Sequence, residues 1–263
     1  MEPPGRPSDP LLLLLVLGTA LGFGGLQRLL RRLARTLPRI LPTHLPTHLQ
    51  RDPLRTWRWH NLLVSLAHSL CSGLWALLCV WQTPEMLVDI EMASSPSGYL
   101  LVCFSTGYFI HDTMDIVVSR QARASWEYLL HHVLAMGAFF SGIFKGRFVA
   151  GGVLTLWVEV SNIFLTLRMM MKLNNAQGHP LYRIIKYANL VVYFLFRLAP
   201  QAYLTWYFLR YAGERTLGTF LMVILLLLDL MILTYFSRLL RSDFCPQRAR
   251  GRPGKESDKF LTD

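Results

Sequence analysis

Seven long apolar runs dominate this chain and limit what it can fold into. A helix needs about 20 largely apolar residues to cross the hydrocarbon core of a bilayer. Seven stretches approach that length, at roughly 11–26, 62–81, 99–118, 129–144, 148–171, 187–209 and 217–236. The runs are continuous and lack the period-two alternation of membrane β-strands. The sequence therefore predicts an all-α, polytopic membrane helical bundle.

The composition agrees with this prediction and narrows the classes of function. Apolar residues make up 52% of the chain and charged residues 16%, whereas globular proteins carry roughly a quarter charged residues. The net charge is +11, and attraction to an anionic membrane leaflet accounts for it, so we expect no nucleic-acid partner. The four cysteines form no C-x-x-C pair, which argues against a disulfide framework or a zinc site. We expect no metal and no other cofactor.

The distribution of Lys and Arg among the connections predicts how the chain crosses the membrane. Alternate connections between the runs hold 20 Lys and Arg on one side and 4 on the other. Basic connections tend to stay in the cytoplasm. We therefore predict seven spans, with the N-terminus outside and the C-terminus in the cytoplasm.

The first run permits two interpretations, a retained anchor helix or a cleaved signal peptide. A basic cluster follows it and one arginine, Arg6, precedes it. This order is the reverse of that in a secretory signal, so we favour the anchor. The predicted organisation is an N-terminal anchor helix with a basic Pro-rich linker (1–56), a core domain (57–241) and a basic, disordered cytoplasmic tail (242–263). Cys245 lies beside arginines just after the last run, a setting in which palmitoylation occurs.

Ionisable side chains inside the runs are the best guide to function, because each costs ~2.5 kcal/mol or more at the centre of a membrane helix. The third run holds His111, Asp112 and Asp115, whose spacing places them on one helical face. For Asp112, acid–base chemistry and an ion-pair network with Arg120 and Arg123 are both open. For Asp115 we favour the ion-pair network.

The fourth and fifth runs bring further polar groups into the membrane. The fourth opens with His131 and His132, and adjacent residues on a helix point about 100° apart. We therefore expect one histidine to act on a ligand while a neighbouring helix holds the other. The fifth run carries Glu159 and Asn162 on one face. Glu159 needs a partner within the hydrocarbon, and we predict His131 or His132 in that role.

The sixth run combines Arg197, Pro200 and Gln201. The proline frees a carbonyl and permits a kink, and we expect Arg197 either to bind that carbonyl or to hold a lipid phosphate. His68 in the second run and Asp229 in the last run are isolated in the sequence. We expect both to form hydrogen bonds between helices.

Together these residues indicate a polar-lined cavity within the membrane but no particular reaction. The chain has no G-x-S-x-G elbow and no H-E-x-x-H zinc pair. The candidates for catalysis are His131, His132, Asp112 and Glu159. The candidates for lipid binding are His111, Asn162, Arg168, Arg197 and Gln201.

Four short motifs resemble those of the TLC-domain family of polytopic membrane proteins. They are W-R-W-H-N at 57–61, Y-F-I-H-D at 108–112, H-H at 131–132 and E-V-S-N at 159–162. The resemblance covers about residues 50–240. It implies a six-helix core around a lipid-accessible cavity, the TLC domain, with the N-terminal apolar helix added to it.

The resemblance also frames the functional hypotheses. Ceramide synthases of this family carry paired histidines followed by an H-D-x-x-D block on the next helix. Here His131 and His132 match the first part, whereas E-V-S-N replaces the second, which argues against ceramide synthesis. For the non-synthase branch the resemblance implies a protein of the plasma membrane, with the endoplasmic reticulum as the alternative. There it would limit polyunsaturated phospholipids and so control membrane fluidity.

Three functions therefore stay open. The favoured one is a non-enzymatic regulator of phospholipid acyl composition that binds phospholipids or fatty acyl chains. The first alternative is a lipid acyltransferase that uses the paired histidines. The second is an accessory subunit of a channel or transporter, which would need a membrane-protein partner and act through helix packing.

Overall fold

The computed structural model describes residues 6–36, 49, 51–214 and 217–244, and these contain no β-strand. Cys245, most of the predicted linker and nearly all of the predicted tail lie outside the described residues. Two short 3₁₀ turns lie at Pro84–Leu87 and Ala212–Glu214. The helices are α1 (Asp9–Thr36), α2 (Pro53–Gln82), α3 (Pro96–Val118), α4 (Trp126–Lys145), α5 (Val149–Thr155), α6 (Val158–Leu173), α7 (Pro180–Tyr193), α8 (Ala199–Tyr211) and α9 (Gly218–Phe244).

Polar residues followed by proline fix where α2 and α3 begin. The Asp52 carboxylate accepts a hydrogen bond from the backbone N–H of Leu54 at 2.9 Å, and the Ser95 hydroxyl accepts one from the N–H of Gly98 at 3.0 Å. These side chains satisfy backbone donors that have no partner within the first helical turn. In both cases proline follows the cap, where its missing N–H costs nothing. Both helices therefore have defined starting points.

Two of the apolar runs are broken rather than continuous helices. Leu156 and Trp157 separate α5 from α6 within the fifth run. In the sixth run a π-helical segment, Phe194–Leu198, joins α7 to α8. Pro200 follows this segment and has no N–H to donate to the preceding turn, and the π segment is the irregularity found beside the proline, where a kink was predicted. Counting each broken run as one element gives six helical elements plus α1.

Four helical stretches are long and apolar enough to cross a membrane. They are Asp9–Ala34, Pro53–Gln82, Val149–Leu173 and Gly218–Asp243. This confirms the predicted class, an all-helical polytopic membrane protein. The other three predicted runs also form helices, in α3, α4 and the α7–α8 pair, but the count of seven spans stays a prediction.

The N-terminal helix α1 packs along α3 as an integral part of the bundle. A methyl group added at Gly107 of α3 would lie 2.6 Å from the Val16 carbonyl oxygen and 2.9 Å from the Ala20 backbone nitrogen. The two backbones therefore approach closely at a position without a side chain, as membrane helices do. On another turn of α1, the Phe23 ring lies 5.2 Å from the ring of Tyr108. One face of α3 is thus covered by α1, and another face lines a cavity between the helices.

Candidate functional site

A cavity of about 600 Å³ lies between the helices, within the size range of ligand-binding pockets. Helices α2, α3, α4, α6 and α9 supply most of its lining, and α1 supplies none of the described lining residues. Apolar side chains form most of the wall. A strip of polar side chains interrupts it, and this strip contains eight of the nine sequence candidates: Asp112, His131, His132, Glu159, Asn162, Arg168, Arg197 and Gln201.

The ninth candidate, His111, lies on the face of α3 that is turned toward α1. Its ring is 6.3 Å from the ring of Phe23, and a methyl group built on Gly24 would be 3.7 Å from it. Adjacent helical residues diverge by about 100°, so His111 and Asp112 serve different surfaces. The structure therefore places His111 outside the cavity lining.

Asp112 and His132 form a carboxylate–imidazole pair in the wall. The Asp112 Oδ2 atom is 3.7 Å from His132 Nε2, and both side chains are buried. Asn61 donates a hydrogen bond of 2.5 Å to the other carboxylate oxygen of Asp112, and Thr113 Oγ1 lies 3.4 Å from His132 Nδ1. The pair is thus held from both sides. Such a pair can move a proton when a ligand brings it closer.

Asp115 belongs to an ion-pair network, but its partners differ from those expected. Arg31 of α1 lies 3.3 Å from Asp115 Oδ1, and the Trp57 indole N–H donates to Oδ2 at 2.9 Å. Arg120 and Arg123 were the predicted partners. The packing of α1 along α3 explains the difference, because it carries Arg31 to the end of α3.

Glu159 is bound by α2 rather than by the paired histidines, so its predicted pairing with His131 or His132 is wrong. The Ser69 hydroxyl donates to Glu159 Oε2 at 2.6 Å, and His68 Nδ1 lies 3.6 Å from the same oxygen. The cause is the close packing of α6 on α2 at Gly73. A methyl group there would lie 3.0 Å from the backbone nitrogen of Val160.

His68 forms the expected interhelical contacts, although it is not isolated. Its Nε2 atom lies 3.2 Å from Ser105 Oγ of α3, and its ring stacks on Tyr108 with centroids 3.9 Å apart. Glu159, His68 and Ser105 therefore form a carboxylate–imidazole–hydroxyl series. His68 and Ser105 are both fully buried and neither lines the cavity. Because the hydroxyl has no access to a ligand, the series is structural.

Arg197 reaches the cavity from the π segment. Its Nε–H donates to Ser161 Oγ at 3.0 Å, and one of its terminal N–H groups donates to Asn162 Oδ1. Asn162 in turn donates to Glu159 Oε2 at 2.9 Å. The Arg197 guanidinium carbon lies 4.9 Å from the centre of the Tyr193 ring. Arg197 therefore bonds to α6 and not to the carbonyl freed by Pro200.

Ion pairs and hydrogen bonds tie α9 to its neighbours at the end of the cavity where α4 begins. The Glu127 carboxylate accepts hydrogen bonds from Arg238 at 2.8 and 2.9 Å and from the Tyr235 hydroxyl at 2.9 Å. The hydrogen bonds from Arg238 lower the pKa of Glu127, which precedes the fourth apolar run. Arg168 pairs with Asp243 near the end of α9. We call these contacts the α9 clamp.

Sequence reasoning missed the residues that position the candidates. Asn61, Ser69 and Tyr193 were assigned no role, yet each contacts a candidate or the segment that carries one. The signal for Asn61 was its place in W-R-W-H-N, and the signal for Ser69 was a hydroxyl beside His68. The prediction for Asp229 is confirmed, because the Thr205 hydroxyl of α8 donates a hydrogen bond to its carboxylate at 2.6 Å and so links two helices.

The chain is similar over most of its length to proteins of one family. A family model described as the TLC domain matches residues 58–241. TLC domain-containing protein 1 of Mus musculus is 72% identical over 249 residues, which cover 95% of this chain and 96% of that protein. The Gallus gallus protein of the same name is 60% identical over 80% of this chain and 84% of its own length. TLC domain-containing protein 2 of Danio rerio is 34% identical, with 77% and 83% covered.

Proposed function

The chain belongs to the TLC-domain family, and from this premise we propose that it binds a phospholipid or a fatty acyl chain in the large cavity. Through this binding it regulates the acyl composition of phospholipids, limits polyunsaturated species and so sets the fluidity of the plasma membrane. The cavity of about 600 Å³ carries the proposal, because apolar walls and a polar strip meet in it. A lipid matches both parts, since it offers an apolar chain and a polar head.

An acyltransferase is the second candidate, and the Asp112–His132 pair favours it. The two side chains lie 3.7 Å apart and both line the cavity. An imidazole oriented by a carboxylate is the arrangement of a general base. In this candidate His132 takes the proton from the acyl acceptor as the acceptor attacks the acyl carbonyl, and Asp112 orients the ring and stabilises its positive charge. The bond to the donor's leaving group then breaks, and His132 gives the proton to that group.

The test is the phospholipid acyl profile of cells that lack this protein. The cells receive either the natural chain or the double variant His131→Ala, His132→Ala, at matched abundance in the membrane. His179→Asn is the matched control, because His179 caps α7 through its ring and lies outside the cavity lining. Asparagine retains the capping ability.

We expect the natural chain and the control to restore the profile and the double variant to fail. The purified protein is then incubated with acyl donors and acceptors. Turnover would select the acyltransferase, and saturable binding without turnover would select the regulator. Full restoration by the double variant would rule out catalysis at this histidine pair and would leave a lipid-binding or scaffolding role.

A further inference from the structure

Arg197 lies in the cavity wall and makes no direct ion pair with a described carboxylate, because Asn162 separates it from Glu159. It donates hydrogen bonds to the Ser161 hydroxyl and the Asn162 side-chain carbonyl and also hydrogen-bonds with the Tyr193 hydroxyl. All three groups are neutral. The Tyr193 ring face adds a further contact at 4.9 Å. A guanidinium remains charged under all relevant conditions, and an uncompensated charge inside a membrane protein is costly.

Two other arginines of the lining show the contrast. Arg168 pairs with Asp243, and Arg238 makes two hydrogen bonds to Glu127. Both belong to the α9 clamp and lie at the end of the cavity where α4 begins. Arg197 instead lies deeper, on the π segment in the interior of the sixth apolar run. Arg197 also lines the large cavity.

The Arg197 guanidinium also has more N–H donors than its protein partners use. Arginine has five N–H groups in a planar fork. Here the guanidinium donates to Ser161 and Asn162 and also hydrogen-bonds with Tyr193. The remaining N–H groups suit the oxygens of a carboxylate or a phosphate, which arginine binds with two parallel hydrogen bonds. His131 and Gln201 line the same cavity and add polar groups beside the expected position of the oxygens.

A second, apolar cavity adjoins the large one away from the α9 clamp, and we call it the apolar extension. This second cavity, of about 50 Å³, shares four lining residues with the large one, Ala138, Phe139, Thr155 and Leu228. It ends among apolar side chains that include Ile143 and Phe148. Ile143 is twelve positions beyond His131 on α4, about 18 Å at the rise of a helix. The extension is narrow, so it suits the end of one acyl chain rather than two.

From these observations we propose that the cavity binds a single-chain lipid with an anionic head, either a fatty-acid carboxylate or the phosphate of a lysophospholipid. The oxygens of the head accept hydrogen bonds from Arg197, and the chain passes Ala138 into the apolar extension. This inference rests on the proposed function and names the class of lipid that occupies the site.

Equilibrium binding of tritiated oleate to the full-length protein tests the assignment. The protein is held in nanodiscs of phosphatidylcholine, and oleyl alcohol and oleoyl lysophosphatidate serve as competitors. We expect saturable binding of oleate and no competition by the uncharged alcohol at equal concentration. Competition by lysophosphatidate more strongly than by unlabelled oleate would identify phosphate as the preferred head, and the reverse order would identify carboxylate.

Variants of the protein test where the lipid head and the acyl chain bind. Arg197→Gln should weaken oleate binding about tenfold or more, and Arg197→Lys should retain part of the affinity because it keeps the charge. Arg210→Gln is the matched control, because Arg210 is exposed on α8 and lies outside the lining. Ala138→Phe, which narrows the entrance to the extension, should weaken oleate binding more than decanoate binding.

Equal competition by oleyl alcohol, or unchanged oleate binding by Arg197→Gln, would overturn the assignment of the head. These binding measurements use the natural chain and variants whose thermal stability is unchanged. Their outcome therefore does not depend on the acyl profile of cells. A profile restored by the natural chain together with no oleate binding would leave the proposed function standing and reject this inference.

Discussion

At the scale of single residues, the buried polar groups form one connected series across α2, α6 and the π segment. His68 contacts Glu159, Glu159 accepts a hydrogen bond from Asn162, and Asn162 accepts one from Arg197. The Asn162 amide can serve a negative and a positive group at once, because it donates from its nitrogen and accepts at its oxygen. The series explains how two ionisable groups are held in an apolar bundle without a direct ion pair between them.

A double-mutant cycle should detect the contact between His68 and Glu159. Each of His68→Phe and Glu159→Gln removes the same electrostatic contact, so the double variant should lose less unfolding free energy than the sum of the two. We expect a coupling energy of about 0.5–3 kcal/mol. The control pairs His68→Phe with Asp229→Asn, whose hydrogen-bond partner is Thr205. Additive behaviour in the first cycle would contradict the contact.

The sequence predicts at this scale which side chains turn inward, but not which of them meet. The cost of an ionisable group in hydrocarbon is a property of the residue and its depth, so Asp112, Glu159 and Arg197 stand out from composition alone. Their partners depend on which helices touch. Glu159 pairs with α2 because Gly73 lets α6 approach there, and a single glycine among apolar residues does not reveal its neighbour.

At the scale of helices, close approach between backbones determines where α1 and α3 pack. Gly107 leaves no room for a side chain against α1, and small residues at such interfaces let membrane helices pack tightly. The runs predicted that both helices exist, because length and hydrophobicity are local properties. They did not predict the break at Leu156 and Trp157, which has no proline to mark it. An irregularity near Pro200 was predictable, since proline removes a backbone donor, and the structure has a π segment there.

Gly107→Ala tests the α1–α3 contact. The added methyl group would meet the Val16 backbone oxygen and the Ala20 nitrogen below 3.0 Å, so the helices must separate. We expect the free energy of unfolding to fall by about 1–3 kcal/mol, measured by thermal or denaturant unfolding in detergent. Gly18→Ala is the control, since a methyl group there meets nothing within 4 Å. Equal stability of the two variants would rule out a tight contact at Gly107.

Glu127→Gln should loosen the α9 clamp, because it removes the charge that holds both donor groups of Arg238. We expect faster hydrogen exchange in α9 from Thr234 onward. The control is Glu85→Gln, at an exposed site in the 3₁₀ turn after α2.

The α9 clamp should also depend on pH, because the hydrogen bonds from Arg238 lower the pKa of Glu127. The natural clamp is therefore intact above the ordinary glutamate pKa of about 4.3 and is lost as the pH falls through the lower folded-state value. Exchange in α9 that is equal in both variants would show that the clamp does not restrain this helix.

At the scale of the whole molecule, the described connections lie at two distinct ends. Arg147 donates to Glu91 at 2.6 Å and Arg6 donates to the Phe144 carbonyl at 2.8 Å, which brings the connections at 82–98 and 145–147 to one end with the start of α1. The α9 clamp joins the start of α4 to the end of α9 at the other end. These contacts agree with the alternation expected from the apolar runs for the connections that they join. It could be predicted because each helix that crosses the bundle reverses the direction of the chain.

The charges at the two ends of the bundle predict the direction in which it sits in the membrane. The end with the α9 clamp belongs to the connections that hold 20 Lys and Arg, and the opposite connections hold 4. A bias of this size predicts that the first end faces the cytoplasm. The natural chain contains no N-x-S/T acceptor site, so glycosylation of an inserted site reports one location without background. We expect an acceptor site inserted at 88–94 to be glycosylated and one inserted at 174–178 to remain unmodified. The reverse result would mean that the basic end faces the lumen or the exterior, and that the charge bias does not orient this protein.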